Sequence, residues 1–173
     1  EVIVGNDRAI IFYEKKGYEK IYDIVYYYHN NPSEINAALP SDLTSACGLT
    51  IKRIEMDDLL SIRYKIHDIH INWQNDFDYI SHIDNQVHYG VFEDTKMIGG
   101  LSINPTGKIN FLWIDPKFRN KGIGRGLISH AVGELNPKKL VISFPNNAAL
   151  MGFIKSLNFE KDPISQYEMY ITL

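Results

Sequence analysis

Cysteine is nearly absent from these 173 residues: Cys47 is the single one, so no internal disulfide can staple the chain. No apolar run approaches the roughly 20 residues needed to cross a bilayer, and no leader-like segment is present. A membrane partner is therefore not expected, and the reading is a cytoplasmic protein. Positive charge is not in excess either. The formal net charge is -3, where a nucleic-acid protein would usually be basic overall, so no nucleic-acid partner is expected. What remains is an ordinary globular composition, with 45% hydrophobic and 23% charged residues and length for about one domain.

Against that plain background one stretch stands out, Phe111 to Val132. A strand-like run, Phe111-Leu112-Trp113-Ile114, meets Asp115-Pro116. A basic, Gly-rich turn follows, Arg119-Asn120-Lys121-Gly122-Ile123-Gly124-Arg125-Gly126. Apolar residues then recur at Ile123, Leu127, Ile128, Ala131, Val132 and Leu135, the spacing of one helix face. The amides of a helix's first turn have no intrahelical partner and sit at the positive end of its dipole. Three glycines remove side-chain bulk there, and Arg119, Lys121 and Arg125 add charge. The pattern predicts a pyrophosphate site. The plainer alternative is a strand–turn–helix with a solvated basic turn.

The motif Arg119-x-x-Gly122-x-Gly124, preceded by Leu112-x-Ile114-x-Pro116, resembles the acyl-CoA-binding motif of the GNAT superfamily of N-acetyltransferases. The resemblance covers roughly residues 49–173. It implies an α/β (α+β) fold with a mixed, mostly antiparallel central sheet flanked by helices, and acetyl-CoA as co-substrate with no metal. It also implies an amine acceptor of unidentified kind. On it, Arg119 to Gly126 (Arg119, Asn120, Lys121, Gly122, Ile123, Gly124, Arg125 and Gly126) cradle the pyrophosphate. The backbone of Leu112, Trp113 and Ile114 pairs with the pantetheine arm, and Asn147 hydrogen-bonds that arm.

The beginning and end of the chain repeat each other. A shift of 141 residues carries Asn6 onto Asn147, Phe12 onto Phe153, Glu19-Lys20 onto Glu160-Lys161 and Tyr26 onto Tyr167 without a gap. The resemblance reads residues 1–30 as the C-terminal remnant of a first GNAT domain. Residues 31–48, with two prolines and small polar residues, are a linker with one helical turn near Glu34 to Leu39. Residues 49–173 are then a complete second domain. In the first copy Asn6 and Tyr13 match the family's pantetheine-binding Asn and its general-acid Tyr. The aromatic run Tyr18–Tyr28 predicts one long strand or two short ones that must cover their edges. They are expected to pack on the rest of the chain or on a second copy, which leaves a homodimer open.

The second copy departs from the family pattern. Ile154 stands where the general-acid Tyr is expected, Asn158 at the helix-ending Gly, Leu150 at a small residue and Lys108 at a Glu. No catalytic residue is therefore assigned. This opens a second reading, a non-catalytic acyl-CoA-binding half of a tandem protein. His67 and His70, with Asp68 between them, are candidates for a general base or, more simply, histidines with no catalytic part. As metal ligands they lack a third partner placed by spacing. His130 is read as outward-facing, and His88 and Tyr89 alternate on a strand so that one of them faces the cleft. Before the phosphate turn the pattern predicts a first strand Leu49–Ile54, a helix from Asp57 or Asp58, a second helical segment with its loop over His67–Asn85, and strands at Val87–Glu93, Met97–Asn104 and Lys108–Ile114. After it come a strand Leu140–Phe144, a helix Asn147–Leu157 and two closing strands, Phe159–Lys161 and Tyr167–Leu173.

Overall fold

The computed structural model describes residues 1–37 and 48–172; most of the linker, including Cys47 and the Leu39 end of its expected helical turn, falls outside them. Eight strands form one sheet: β1 (Val2–Ile3), β2 (Glu19–His29), β3 (Leu49–Ile54), β4 (Val87–Glu93), β5 (Lys96–Ile103), β6 (Lys108–Ile114), β7 (Leu140–Pro145) and β8 (Glu160–Tyr170). Their spatial order is β1-β8-β2-β7-β6-β5-β4-β3, antiparallel everywhere except between β6 and β7. Helices α1 (Asp7–Glu14), α2 (Met56–Leu60), α3 (Phe77–Ile80), α4 (Ile123–Leu135) and α5 (Ala148–Ser156) connect them.

The first strands of the domain follow from alternation and tight turns. Asp94 takes a left-handed φ of 51° in the β4–β5 hairpin, a conformation that Asp tolerates better than most residues. The α4 helix lays Ile123, Leu127, Ile128, Ala131 and Val132 on one face of the sheet, against Tyr89, Val91, Leu101 and Ile103. On the other face Leu59, Ile62, Phe77 and Ile80 cover Met97, Phe111 and Trp113. Each fully buried aliphatic or aromatic side chain of this kind contributes about 1.5–3 kcal/mol.

Two expectations change in detail, and a third is described only in part. The segment 67–85 is mostly irregular, with a 3-10 turn at Trp73–Asn75 and the four-residue α3, because Asn72 and Asn75 take side-chain partners in place of a helix ladder. A 3-10 turn spans Pro32–Glu34, while the far end of the helical turn expected near Glu34 to Leu39 lies outside the described residues. The two closing strands are one, β8, which runs through Pro163; the β2–β8 register shifts there, between the pairs Val25–Ser165 and Tyr27–Lys161.

The repeat has a geometric counterpart. β2 lies between β7 and β8, inside the sheet of the same chain. Ile24 faces Gln166 and Val25 faces Ser165, and the 141-residue shift exchanges those two pairs. The outer strands obey the same exchange: Val2 faces Tyr167 as Ser143 faces Tyr26, and Ile3 faces Gln166 as Phe144 faces Val25. The four strands β1-β8-β2-β7 thus have a local pseudo-two-fold axis.

Candidate active site

β6 and β7 run parallel for only two ladder pairs, Lys108 with Val141 and Ile109 with Ile142, and then part. The cause lies on the other side of β6. Ser102 of β5 faces Phe111 and Ile103 faces Ile109, so Asn110 is an extra residue in the ladder, a bulge that bends the strand. The cleft opened there is lined by Asn110, Leu112, Ser143, Asn147 and Leu150, with Ile69 to Asn72 and Asn75 across its mouth. Asn110 is 3% exposed, and among the described residues neither its Oδ1 nor its Nδ2 has a partner. Buried amide groups without partners are rare and destabilising, which marks this side chain as one aimed at something else. Sequence reasoning missed it. Its signal was a lone amide in the apolar run Ile109-Asn110-Phe111-Leu112.

Beyond the parting point, the Ser143 carbonyl accepts from Asn75 Nδ2 at 2.7 Å, while Asn75 Oδ1 is buried and unpartnered. Asn147 caps α5, its Oδ1 accepting from the Leu150 amide at 3.0 Å. That leaves its Nδ2 as a donor at the cleft wall. Leu112 is half-buried and lines the cleft; Trp113 and Ile114 are buried in the sheet.

The Gly-rich turn between β6 and α4 is built from tight and left-handed backbone. Asp115 closes a 3-10 turn at Pro116–Phe118, accepting from the Lys117 amide. Asn120 (φ 60°) and Gly122 (φ 77°) are both left-handed, and Gly122 is the residue before the first turn of α4. Among the described residues no side chain caps that helix. The amides of its first turn are therefore free of side-chain partners, while Gly126 N–H already bonds the Gly122 carbonyl. Gly124 has a packing reason as well: a Cβ there would stand 3.1 Å from Phe153 of α5.

The charges divide. Lys121 and Arg125 are exposed at the rim. Arg119 is turned inward, Nε to the Ile114 carbonyl at 2.8 Å and one terminal nitrogen to Asp68 at 2.6 Å. Burial tends to raise the Asp68 carboxyl, yet the Arg119 guanidinium outweighs it and holds that carboxyl below the usual range. In this geometry Arg119 ties the end of β6 to the loop before α3, and the rim charge comes from the other two.

The remaining residues separate clearly. Ile154 is fully buried in the main core, which explains the loss of a hydroxyl there in packing terms. Tyr89 is fully buried beneath α4 with its ring against His130, and burial, then the Glu134 carboxylate, push its hydroxyl up to about 12. Neither Tyr89 nor His88 lines the cleft. Burial lowers the His88 imidazole. Of the histidine pair, His67 is exposed, whereas His70 lines the cleft. A larger hollow of about 580 Å³ lies along α4, bordered by Ala37, Leu49, Gly126, Ser129 and Glu134. Among the described residues no group of three or more His, Cys, Asp or Glu is placed to hold a metal, and no helix is long and apolar enough to cross a membrane.

Comparison with known proteins agrees with this anatomy. A search of curated proteins finds no significant match. Among solved structures, a Drosophila protein superposes with a TM-score of 0.71 at 12% identity, over 96% of this chain and 57% of its own. A conserved Staphylococcus epidermidis protein of unknown function gives 0.68 at 9% identity, over 97% and 68%. A tandem GNAT protein from the clavulanic acid biosynthesis pathway gives 0.62 at 12% identity, over 93% and 57%. The chain thus spans little more than half the length of two of these three. At such identities the likeness is one of fold: a mixed, mostly antiparallel sheet flanked by helices. The model of the acetyltransferase (GNAT) family matches residues 52–159, more than half of the chain, and this protein belongs to that family.

Proposed function

We propose that the protein is an acyl-CoA-dependent N-acetyltransferase that moves an acetyl group from acetyl-CoA to a primary amine by direct attack. One observation carries the reading: uncapped helix amides after a left-handed Gly122 lie at the end of the strand that parts from β7. A diphosphate is bound by the first-turn amides of α4, with Lys121 and Arg125 at its rim. The extended arm lies along β6 past Leu112, as an added strand would, between main-chain groups that the absent ladder leaves unpaired. Asn147 Nδ2 and the unpartnered amide of Asn110 supply hydrogen bonds within the cleft. Alignment of thioester and amine is the main catalytic contribution, since effective molarities for well-held reactants are large.

Residues 1–30 are, on the same reading, the tail of a first GNAT unit, and 31–48 its linker to residues 49–173. The matched register across the pseudo-two-fold axis supports a common origin of β1-α1-β2 and β7-α5-β8.

A second reading is favoured by Ile154, which offers no proton donor: an acyl-CoA-binding half without turnover. Titration with acetyl-CoA and a panel of primary amines, following thiol release, separates the two. Release with at least one amine is expected; binding without release across the panel establishes the second reading instead.

A further inference from the structure

His70 belongs to the loop before α3, and its surroundings are those of a positioned base. Its Nε2 lies 2.8 Å from Glu168 Oε2. The Glu168 side chain is only 4% exposed, and its other oxygen accepts from the Tyr170 hydroxyl at 2.9 Å. Tyr22 of β2 stacks on the imidazole at 4.0 Å and 11°, and Tyr170 meets the ring at 6.4 Å. Burying a carboxylate is expensive unless it is well partnered. Among the described residues Glu168 is the one acid of the buried set, and what it holds is this ring.

A carboxylate on Nε2 selects the tautomer that carries its proton there and leaves the lone pair on Nδ1. Nδ1 has no hydrogen-bond partner among the described residues, and His70 shares the cleft with Asn110, Leu112 and Asn147. The side chain is also 29% exposed, so a proton taken from the cleft has a way to solvent. His67, three residues earlier, is exposed and has none of this support.

We propose that His70, oriented by Glu168 and clamped by Tyr22, is the general base of the transfer reaction and takes the acceptor's proton at Nδ1. This rests on the transferase reading above. The amine lone pair forms the new C–N bond to the acetyl carbon, and the C–S bond breaks. The nitrogen's surplus proton passes to Nδ1, and the departing thiolate takes a proton from water. His70 then releases its proton to solvent, so amine and acetyl-CoA give N-acetylamine and free CoA thiol. The titratable groups facing the ring are Glu168 and Tyr170 from β8 and Tyr22 from β2, with Glu1 nearby through its bond to Asn72.

The test uses the full chain and the primary amine that gives the fastest thiol release. His70→Gln is expected to lower kcat/KM about 10²–10⁴-fold. It should also remove the acidic limb of the pH profile and leave acetyl-CoA affinity by calorimetry within about twofold, as expected of proton transfer without a cofactor contact. Independently of turnover, the ring resonances of His70 in the unmutated protein should titrate at the pH of that limb. Glu168→Gln, which removes the carboxylate that orients the ring, should also lower kcat/KM and again leave acetyl-CoA affinity within about twofold. A retained rate and limb in His70→Gln, or a His70 titration away from the limb, overturns the proposal while the transferase reading stands. Binding without thiol release from the unmutated protein with every amine overturns the transferase reading and this role with it.

Discussion

The two copies of the repeat, residues 6–29 and 147–170, share a local code and differ in what surrounds it. In both, an Asn caps a helix by accepting from the amide three residues on. Both helices end in a left-handed residue, Gly17 at φ 87° and Asn158 at φ 61°. In both, the amide after that residue bonds back five positions, Tyr18 to Tyr13 and Phe159 to Ile154. Both then feed an eleven-residue strand. Yet Phe153 packs toward α4 at Gly124, while Phe12, its counterpart, is 56% exposed. Ile154 is fully buried and Tyr13 is 39% exposed. The lesson is that capping and helix termination are written locally, whereas burial is decided by whether a second helix stands opposite. In the second copy α4 stands there, and the position that carries a phenol in the first copy has become core.

The sharpest way to break the comparison is at the buried helix position. Ile154→Ala is expected to lower stability by about 2–5 kcal/mol, while Phe12→Ala stays within about 0.5 kcal/mol; denaturant melts of the two variants check this. Restoring the phenol is the next test. Ile154→Tyr forces a larger, polar group into a filled site and should lose about 1–3 kcal/mol without speeding thiol release. A gain in rate would mean that the second copy retains a place for the acid that its sequence lacks. Gly124→Val sets a side chain against Phe153 beside the uncapped amides, and acetyl-CoA affinity by calorimetry should fall about tenfold or more, with a smaller change in stability. Unchanged affinity would overturn the assignment of a diphosphate to these amides.

The smallest effect is in the alkaline range and belongs to the strand junction between the copies. Burial, then the hydrogen bond to Glu168, push the Tyr170 hydroxyl up to about 12. A raised value favours the neutral phenol in the folded state, so its contribution is complete below about 10, the ordinary phenol value, and is lost as pH rises toward 12. Tyr170→Phe should flatten part of that loss in melts between about pH 9 and 11.5. Tyr170 is 44% exposed, so solvent screening keeps the effect slight.

Much of the fold was legible because it is governed by short-range rules. The helix after Gly122, the strands at Leu49, Val87 and Lys108, and the helix opening at Asn147 are each specified within a few residues. The irregular stretch 67–85 was not, because Asn72 and Asn75 find their partners on distant elements: the Glu1 side chain and the Ser143 carbonyl. Arg119 shows the same limit within the Gly-rich motif. Its place in the pattern was readable, but its guanidinium is directed by Asp68, fifty-one residues earlier.

By itself the chain's order of residues determined the family, the Gly-rich turn and the repeat, since glycine conformational freedom, capping and apolar spacing act over a few positions. Only the tertiary structure decided that β2 lies between β7 and β8, that the bulge at Asn110 opens β6 from β7, and that His70 rather than His67 meets a buried carboxylate. Those outcomes depend on strand pairing and side-chain contacts between residues up to about a hundred positions and more apart, and the energy of such contacts is fixed by which surfaces finally meet.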